Sequence, residues 1–341
     1  MHNATFELGI DFELESGDTI KGLTIAYHTY GQLNEAKNNV VWICHALTAN
    51  SNAKDWWGSL CEENRFLNNS DYYFVCSNIL GSCYGTSGPL SNNPFTNQPY
   101  YSTFPSITIR DMVKAHQALA KHLGVDAIKI LMGGSMGGYQ ALEWATEEPN
   151  RIQKMILLCT GARESAWGIA IHTAQRMAIE ADPTWKDHSA NAGRNGLMAA
   201  RAIGMLTYRN YEQFVLQQTE DDVNKTDGFK ASSYMHYQGE KLANRFHAYA
   251  YWVLTKAMDS HNVGRNRGGI ELALARIQAK TLLIGISTDQ LCPPQEQAQL
   301  ARLIPNCQYH VIASEMGHDG FLTEGEKIDQ AIQLFLLQLS N

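Results

Sequence analysis

The sequence predicts an α/β fold in which a mostly parallel sheet is flanked by helices and carries an inserted helical lid. Three observations support that expectation. Short apolar runs bounded by Gly, Asn or Asp recur along the chain, helical patterns separate them, and the alternation lapses over residues 163–269 before it resumes. With 341 residues, the chain exceeds the length at which one core usually stops growing. The expected organisation is a core of residues 1–162 and 270–341, with residues 163–269 as the insertion.

The first strand expected is VVWIC at 40–44, and further runs at 72–76, 128–132, 155–159 and 281–286 share its character. Continuous apolar runs of this length fit parallel strands covered on both faces. Residues 109–123 read as a helix, with Met112, Ala115, Leu119 and Leu123 on one face and Gly124 as its stop. Within the insertion no strand-like run occurs, and turns are expected around Asp182-Pro183, 193–196 and 225–228. The strand pattern then returns with TLLIGI and QYHVI. An insertion at this point lies over the carboxyl ends of the strands, where ligands bind in open α/β sheets.

Composition narrows the function. Lys and Arg total 27 against 34 Asp and Glu, a net charge of −7, and no basic stripe exists to neutralise a run of phosphates, so nucleic acid is not an expected partner. The seven cysteines are an odd number without metal-like pairs, and several lie in apolar runs. No metal site is expected, and a reducing cytoplasm is the expected compartment. The start, MHNATFELGIDFELESGD, is polar and acidic where a signal peptide is basic and then apolar. No run approaches the roughly 18 apolar residues of a membrane span.

The chemistry centres on GGSMGG at 133–138, which follows a strand run and precedes the helical pattern YQALEWATEEP. Gly-x-Ser-x-Gly between strand and helix sets a serine on a tight turn above the sheet, so Ser135 is the candidate nucleophile; the alternative is a serine that only caps the helix. A serine hydroxyl needs a base, and the base needs a group to hold its tautomer. With nucleophile, acid and base following in that chain order, Asp289 after TLLIGI and His318 after the last strand run are the candidates. His310 lies inside a strand-like run and reads as structural, while the alternative for Asp289 is a turn residue ahead of Pro293-Pro294. Acyl transfer also needs two donors for an oxyanion, and the N–H groups of Met136 and Leu47 are the candidates. The Gly-rich run 81–89 lacks the Gly-Lys-Ser/Thr ending of a phosphate loop and is not read as one.

These residues belong to a wider pattern. CHALT at 44–48, the Trp56-Trp57 pair, GSCYGTSGP at 81–89, FPSITIRDMV at 104–113, GGSMGGYQALEWA at 133–145 and GHDGFL at 317–322 resemble segments of the homoserine O-acetyltransferases. So do AARAIGMLTYR at 199–209 and RFHAYAYWVLTKAMD at 245–259, which makes the resemblance nearly chain-long. It implies the α/β-hydrolase fold, a Ser135–Asp289–His318 triad and transfer of acetyl from acetyl-CoA to L-homoserine on the way to methionine. It also implies no bound cofactor and a homodimer joined through the lid helices. By the same resemblance, Arg201 binds the homoserine carboxylate, Asp319 holds its amino group, and Tyr208 lies in the active-site tunnel. Ala49 stands where many members carry Gly, and the stretch 61–71 is shorter than usual. Both differences border the donor side, where relatives take succinyl-CoA; other relatives take serine as acceptor. A serine esterase or lactonase is the rival within hydrolases, and a silent binding protein is the rival from another class.

Overall fold

The computed structural model describes residues 1–339. At its centre lies an eight-stranded sheet of β1 (His2–Glu7), β2 (Thr24–Tyr30), β3 (Val40–Cys44), β4 (Tyr73–Ser77), β5 (Ile128–Gly134), β6 (Ile152–Leu158), β7 (Lys280–Ile286) and β8 (Cys307–Ile312). Their spatial order is β1-β2-β4-β3-β5-β6-β7-β8. The β1–β2 and β2–β4 pairs are antiparallel and the other neighbouring pairs are parallel. The chain moves to one side of β3 to make β4 and then to the other side to make β5. A crevice therefore forms at the carboxyl ends of β3 and β5, at the point where the strand order reverses.

Why the strand runs are continuously apolar is clear at β3. Val40, Trp42 and Cys44 enter one hydrophobic core, while Val41 and Ile43 enter a second on the opposite face. Helices α1 (Ile109–His122) and α2 (Met136–Glu147) cover the first face. On the second, α9 (Gly325–Gln338) buries Ile328, Ile332 and Phe335. Between β6 and β7 come α3 (Ala166–Glu180), α4 (Arg194–Tyr208), α5 (Tyr211–Gln218), α6 (Lys230–Ala243) and α7 (Ala248–Asp259), followed by a single short helical turn (Ile270–Leu274); α8 (Pro294–Leu303) joins β7 to β8. Among the described residues, no helix is long and apolar enough to cross a membrane.

Several boundaries differ from the sequence reading for local reasons. Strand β5 runs on to Gly134, because Gly133 and Gly134 still pair with Leu157 and Leu158. Strand β6 stops at Leu158, since Cys159 turns out of the sheet with φ 48°. The turn expected at 193–196 is confined to Gly193, whose φ of 73° starts α4 at Arg194. The antiparallel strands β1 and β2 had no counterpart in the reading; β1 mixes exposed and half-buried residues, β2 alternates half-buried and buried ones, and both lack a continuous apolar run.

Candidate active site

Ser135 follows β5 directly and precedes α2 with φ 54° and ψ −125°, a conformation that costs a side-chain-bearing residue about 1–3 kcal/mol. The neighbouring glycines explain how the turn is held. A Cβ on Gly133 would lie 2.2 Å from the Gly137 carbonyl oxygen, and one on Gly137 would lie 2.1 Å from that of Cys44. The start of α2 is thus pressed onto the end of β3, which only glycine at these positions permits. Ser135 N–H donates to the Leu158 carbonyl at 2.9 Å, and the Thr160 hydroxyl donates to the Ser135 carbonyl at 3.0 Å. The serine is not a helix cap, since its side chain makes no capping bond.

The turn after β8 brings His318 to this serine, with Nε2 2.9 Å from Ser135 Oγ and Nδ1 2.8 Å from Asp289 Oδ2. Asp289 stands after β7 and is buried. Its Oδ1 accepts the N–H groups of Leu291 at 2.9 Å and Cys292 at 2.8 Å, so the carboxylate is fixed from both sides. A carboxylate can only accept, so Nδ1 carries the proton and Nε2 faces the serine as an acceptor in the neutral ring. Burial opposes charging of His318, but Asp289, Asp319 and Glu164 outweigh it and raise its pKa from the ordinary value of 6.5. His310, the rival histidine, lies exposed on β8 and pairs with Ile284.

Cys159, Asp289 and His318 form a buried cluster whose ligand-type atoms lie within 4.8 Å of one another. Burial, and next the Asp289 carboxylate, push the Cys159 thiol well up. It stays protonated and bonds to Asp289, a poor state for a metal ligand.

A cavity of about 440 Å³ opens beside Ser135. Its lining brings together Leu47, His318, Asp319, Arg201 and Tyr208. Met136 holds the first position of α2, where an N–H has no intrahelical acceptor. Leu47 lies in the loop after β3, and its N–H has no backbone acceptor among the described residues. Arg201 and Tyr208 both come from α4, with the guanidinium carbon 5.3 Å from the tyrosine ring centre. No carboxylate pairs with Arg201 among the described residues. Tyr208 in turn lies 6.0 Å from the His318 ring. Asp319 Oδ2 is 3.4 Å from Arg209 Nη1.

A family model for the alpha/beta hydrolase fold matches residues 39–325. A homoserine O-acetyltransferase of Cyclobacterium marinum is 46% identical over 325 residues, covering 95% of this chain and 92% of that protein. The chain belongs to the homoserine O-acetyltransferase family. A solved member of that family from Staphylococcus aureus superposes with a TM-score of 0.81 at 30% identity, over 99% of this chain and 95% of that one. Esterase E22 superposes with a TM-score of 0.88 at 25% identity, over 98% and 99% of the two chains. The family's α/β-hydrolase sheet is therefore shared by transferases and esterases alike.

Two features of this family member's site had escaped the sequence reading. His172 of α3 lines the same cavity, with its Nδ1 2.9 Å from Asp259 Oδ1. Arg245, just after α6, donates from Nη1 to the Thr48 carbonyl at 2.6 Å and to the Tyr84 hydroxyl at 2.9 Å. Neither sits in a motif with a known chemical spacing. The signals were that both fall in the helical stretch over the carboxyl ends of the strands, and that Arg245 and Asp259, the partner of His172, bound the family-like segment 245–259.

Proposed function

We propose that this chain transfers acetyl from acetyl-CoA to the hydroxyl of L-homoserine through an acyl-Ser135 intermediate. The observation that carries the reading is the Asp289–His318–Ser135 chain of hydrogen bonds, opening into a cavity that also presents the unpaired Arg201 guanidinium. His318 Nε2 takes the Ser135 proton as Oγ attacks the thioester carbonyl. The oxyanion is received by the N–H groups of Leu47 and Met136, and its collapse expels the CoA thiolate, which takes the proton from His318. Homoserine then enters, His318 takes its hydroxyl proton, and the alkoxide attacks the acyl-serine; Ser135 leaves with that proton. No bound cofactor is required.

Arg201 suits the acceptor carboxylate, since a guanidinium fork matches it, and Asp319 suits the amino group. Tyr208, between Arg201 and His318, forms the wall that joins the two ends of the acceptor. Residues 163–269 are the lid on a core of residues 1–162 and 270–341, and they exclude water from the acyl-enzyme. The protein works as a homodimer through its lid helices, in the cytoplasm, where its seven free thiols stay reduced.

The test pairs homoserine or serine with acetyl-CoA or succinyl-CoA and follows CoA release together with product mass. O-acetylhomoserine formed with parallel double-reciprocal lines, and lost by at least about 10⁴-fold in Ser135→Ala, is the expected result. Arg201→Ala should raise the homoserine KM by roughly tenfold or more. The likeness to esterase E22 favours hydrolysis as the second reading. CoA release without an acylated amino acid would establish it.

A further inference from the structure

The cavity holds a second histidine prepared in the same manner as the first. His172 lies on α3 with only 5% of its side chain exposed, and its Nδ1 is bonded to Asp259 Oδ1 at 2.9 Å. Asp259, at the end of α7, is held in place by Arg176 Nη2 at 2.5 Å from its other oxygen. The carboxylate can only accept, so Nδ1 carries the proton, and in the neutral ring Nε2 is left as a lone-pair acceptor. Nε2 has no partner among the described residues, and the side chain borders the cavity that contains Ser135 and Arg201. A nearly buried imidazole, oriented by a carboxylate and left open on the cavity side, is placed to meet a donor on a ligand.

The acceptor proposed above offers three polar groups: a hydroxyl for Ser135 and His318, a carboxylate for Arg201, and an ammonium. The hydroxyl donates to His318 and the carboxylate accepts from Arg201, which leaves the ammonium as the group whose acceptors are still to be found. Asp319 is one, but Arg209 already lies against its Oδ2 at 3.4 Å. We propose that His172 Nε2 accepts a hydrogen bond from the α-ammonium of the amino-acid acceptor, with Asp259 as the positioning residue that fixes its tautomer. The assignment rests on the acyltransferase reading and adds the group by which this chain selects an amino acid over a plain hydroxy acid.

The test compares kcat/KM for transfer to L-homoserine and to 4-hydroxybutyrate, which keeps the hydroxyl and carboxylate and lacks the ammonium. Wild-type protein should prefer homoserine, and His172→Phe should shrink that preference by about tenfold or more. His172→Gln, whose amide oxygen is an acceptor, should recover part of it. Asp259→Asn should behave like His172→Phe with the imidazole still present, because an amide donating to Nδ1 moves the proton to Nε2. If His172→Phe does not fold, the Gln and Asn variants carry the same comparison. A preference that stays the same in these variants, or an equal loss with both acceptors, overturns the assignment alone. Wild-type protein that acetylates neither compound overturns the acyltransferase reading and the assignment with it.

Discussion

His318 is pulled in two directions, and the outcome fixes how activity depends on pH. Burial disfavours its charged form, while Asp289, Asp319 and Glu164 favour it, and the pKa rises from 6.5. The ring must be neutral to take the serine proton, so acylation fails as pH falls through that raised value. Asp319→Asn removes one favouring charge and leaves Arg209 unpaired, so the acid limb of the rate should move to lower pH. The burst rate of 4-nitrophenol release from 4-nitrophenyl acetate, followed from pH 5 to 9, reports acylation alone; a limb that stays in place would show that Asp319 does not act on His318. The residues of this network were legible because Ser135, Asp289 and His318 each follow a strand in a set chain order. His172 was not legible. Its partner Asp259 lies 87 positions away on another helix, and no local spacing signals a pairing made by tertiary packing.

At the scale of elements, the cavity depends on where α4 begins, because α4 carries both Arg201 and Tyr208. Its first turn has no cap from its own flank, and Gly193 in the left-handed region supplies no side chain. Asp182 supplies it from the end of α3: Oδ2 accepts the Gly196 N–H at 2.9 Å, and Oδ1 accepts from Thr184 N–H at 2.9 Å and its hydroxyl at 2.7 Å. Burial works to raise the Asp182 pKa, but these bonds outweigh it and hold the group below its ordinary 3.8. A depressed carboxylate adds stability above its unfolded pKa and loses it as pH falls through the folded value. Asp182→Ala should therefore destabilise α4 by about 1–2 kcal/mol at neutral pH, with faster amide exchange across 194–208 and a difference from wild type that fades below pH 3.8. The Asp-Pro turn was visible in the sequence, whereas its service to a helix 14 positions on was not. The parallel strands were legible because burial on both faces leaves a continuous apolar run. The antiparallel strands β1, at the sheet edge, and β2 beside it are less completely buried and leave a weaker alternation.

At the scale of the whole molecule, the helices between β6 and β7 face two ways. Outward, α5 buries none of its residues, and Tyr211 and Leu216 on it stand open to solvent, as do Leu206 on α4 and Val223 after α5. The proposed homodimer would cover this surface; Leu216→Glu should then shift sedimentation from dimer to monomer, and a wild-type monomer would remove the dimer from the reading. Inward, Arg245 joins these helices to the loop after β3, through the Thr48 carbonyl at 2.6 Å, and to the loop after β4, through the Tyr84 hydroxyl at 2.9 Å. The loop after β3 carries Leu47, so one guanidinium links the proposed lid to a proposed oxyanion donor. A shared sheet and a shared serine do not separate transfer from hydrolysis; exclusion of water from the acyl-enzyme does. Arg245→Ala loosens the link and should raise CoA release relative to O-acetylhomoserine formed, as water reaches acyl-Ser135. Tyr84→Phe removes one of the three bonds to Arg245 and should raise the same ratio less. A ratio unchanged in both variants, with total CoA release lowered, would place Arg245 in acylation and leave water exclusion to the rest of the lid.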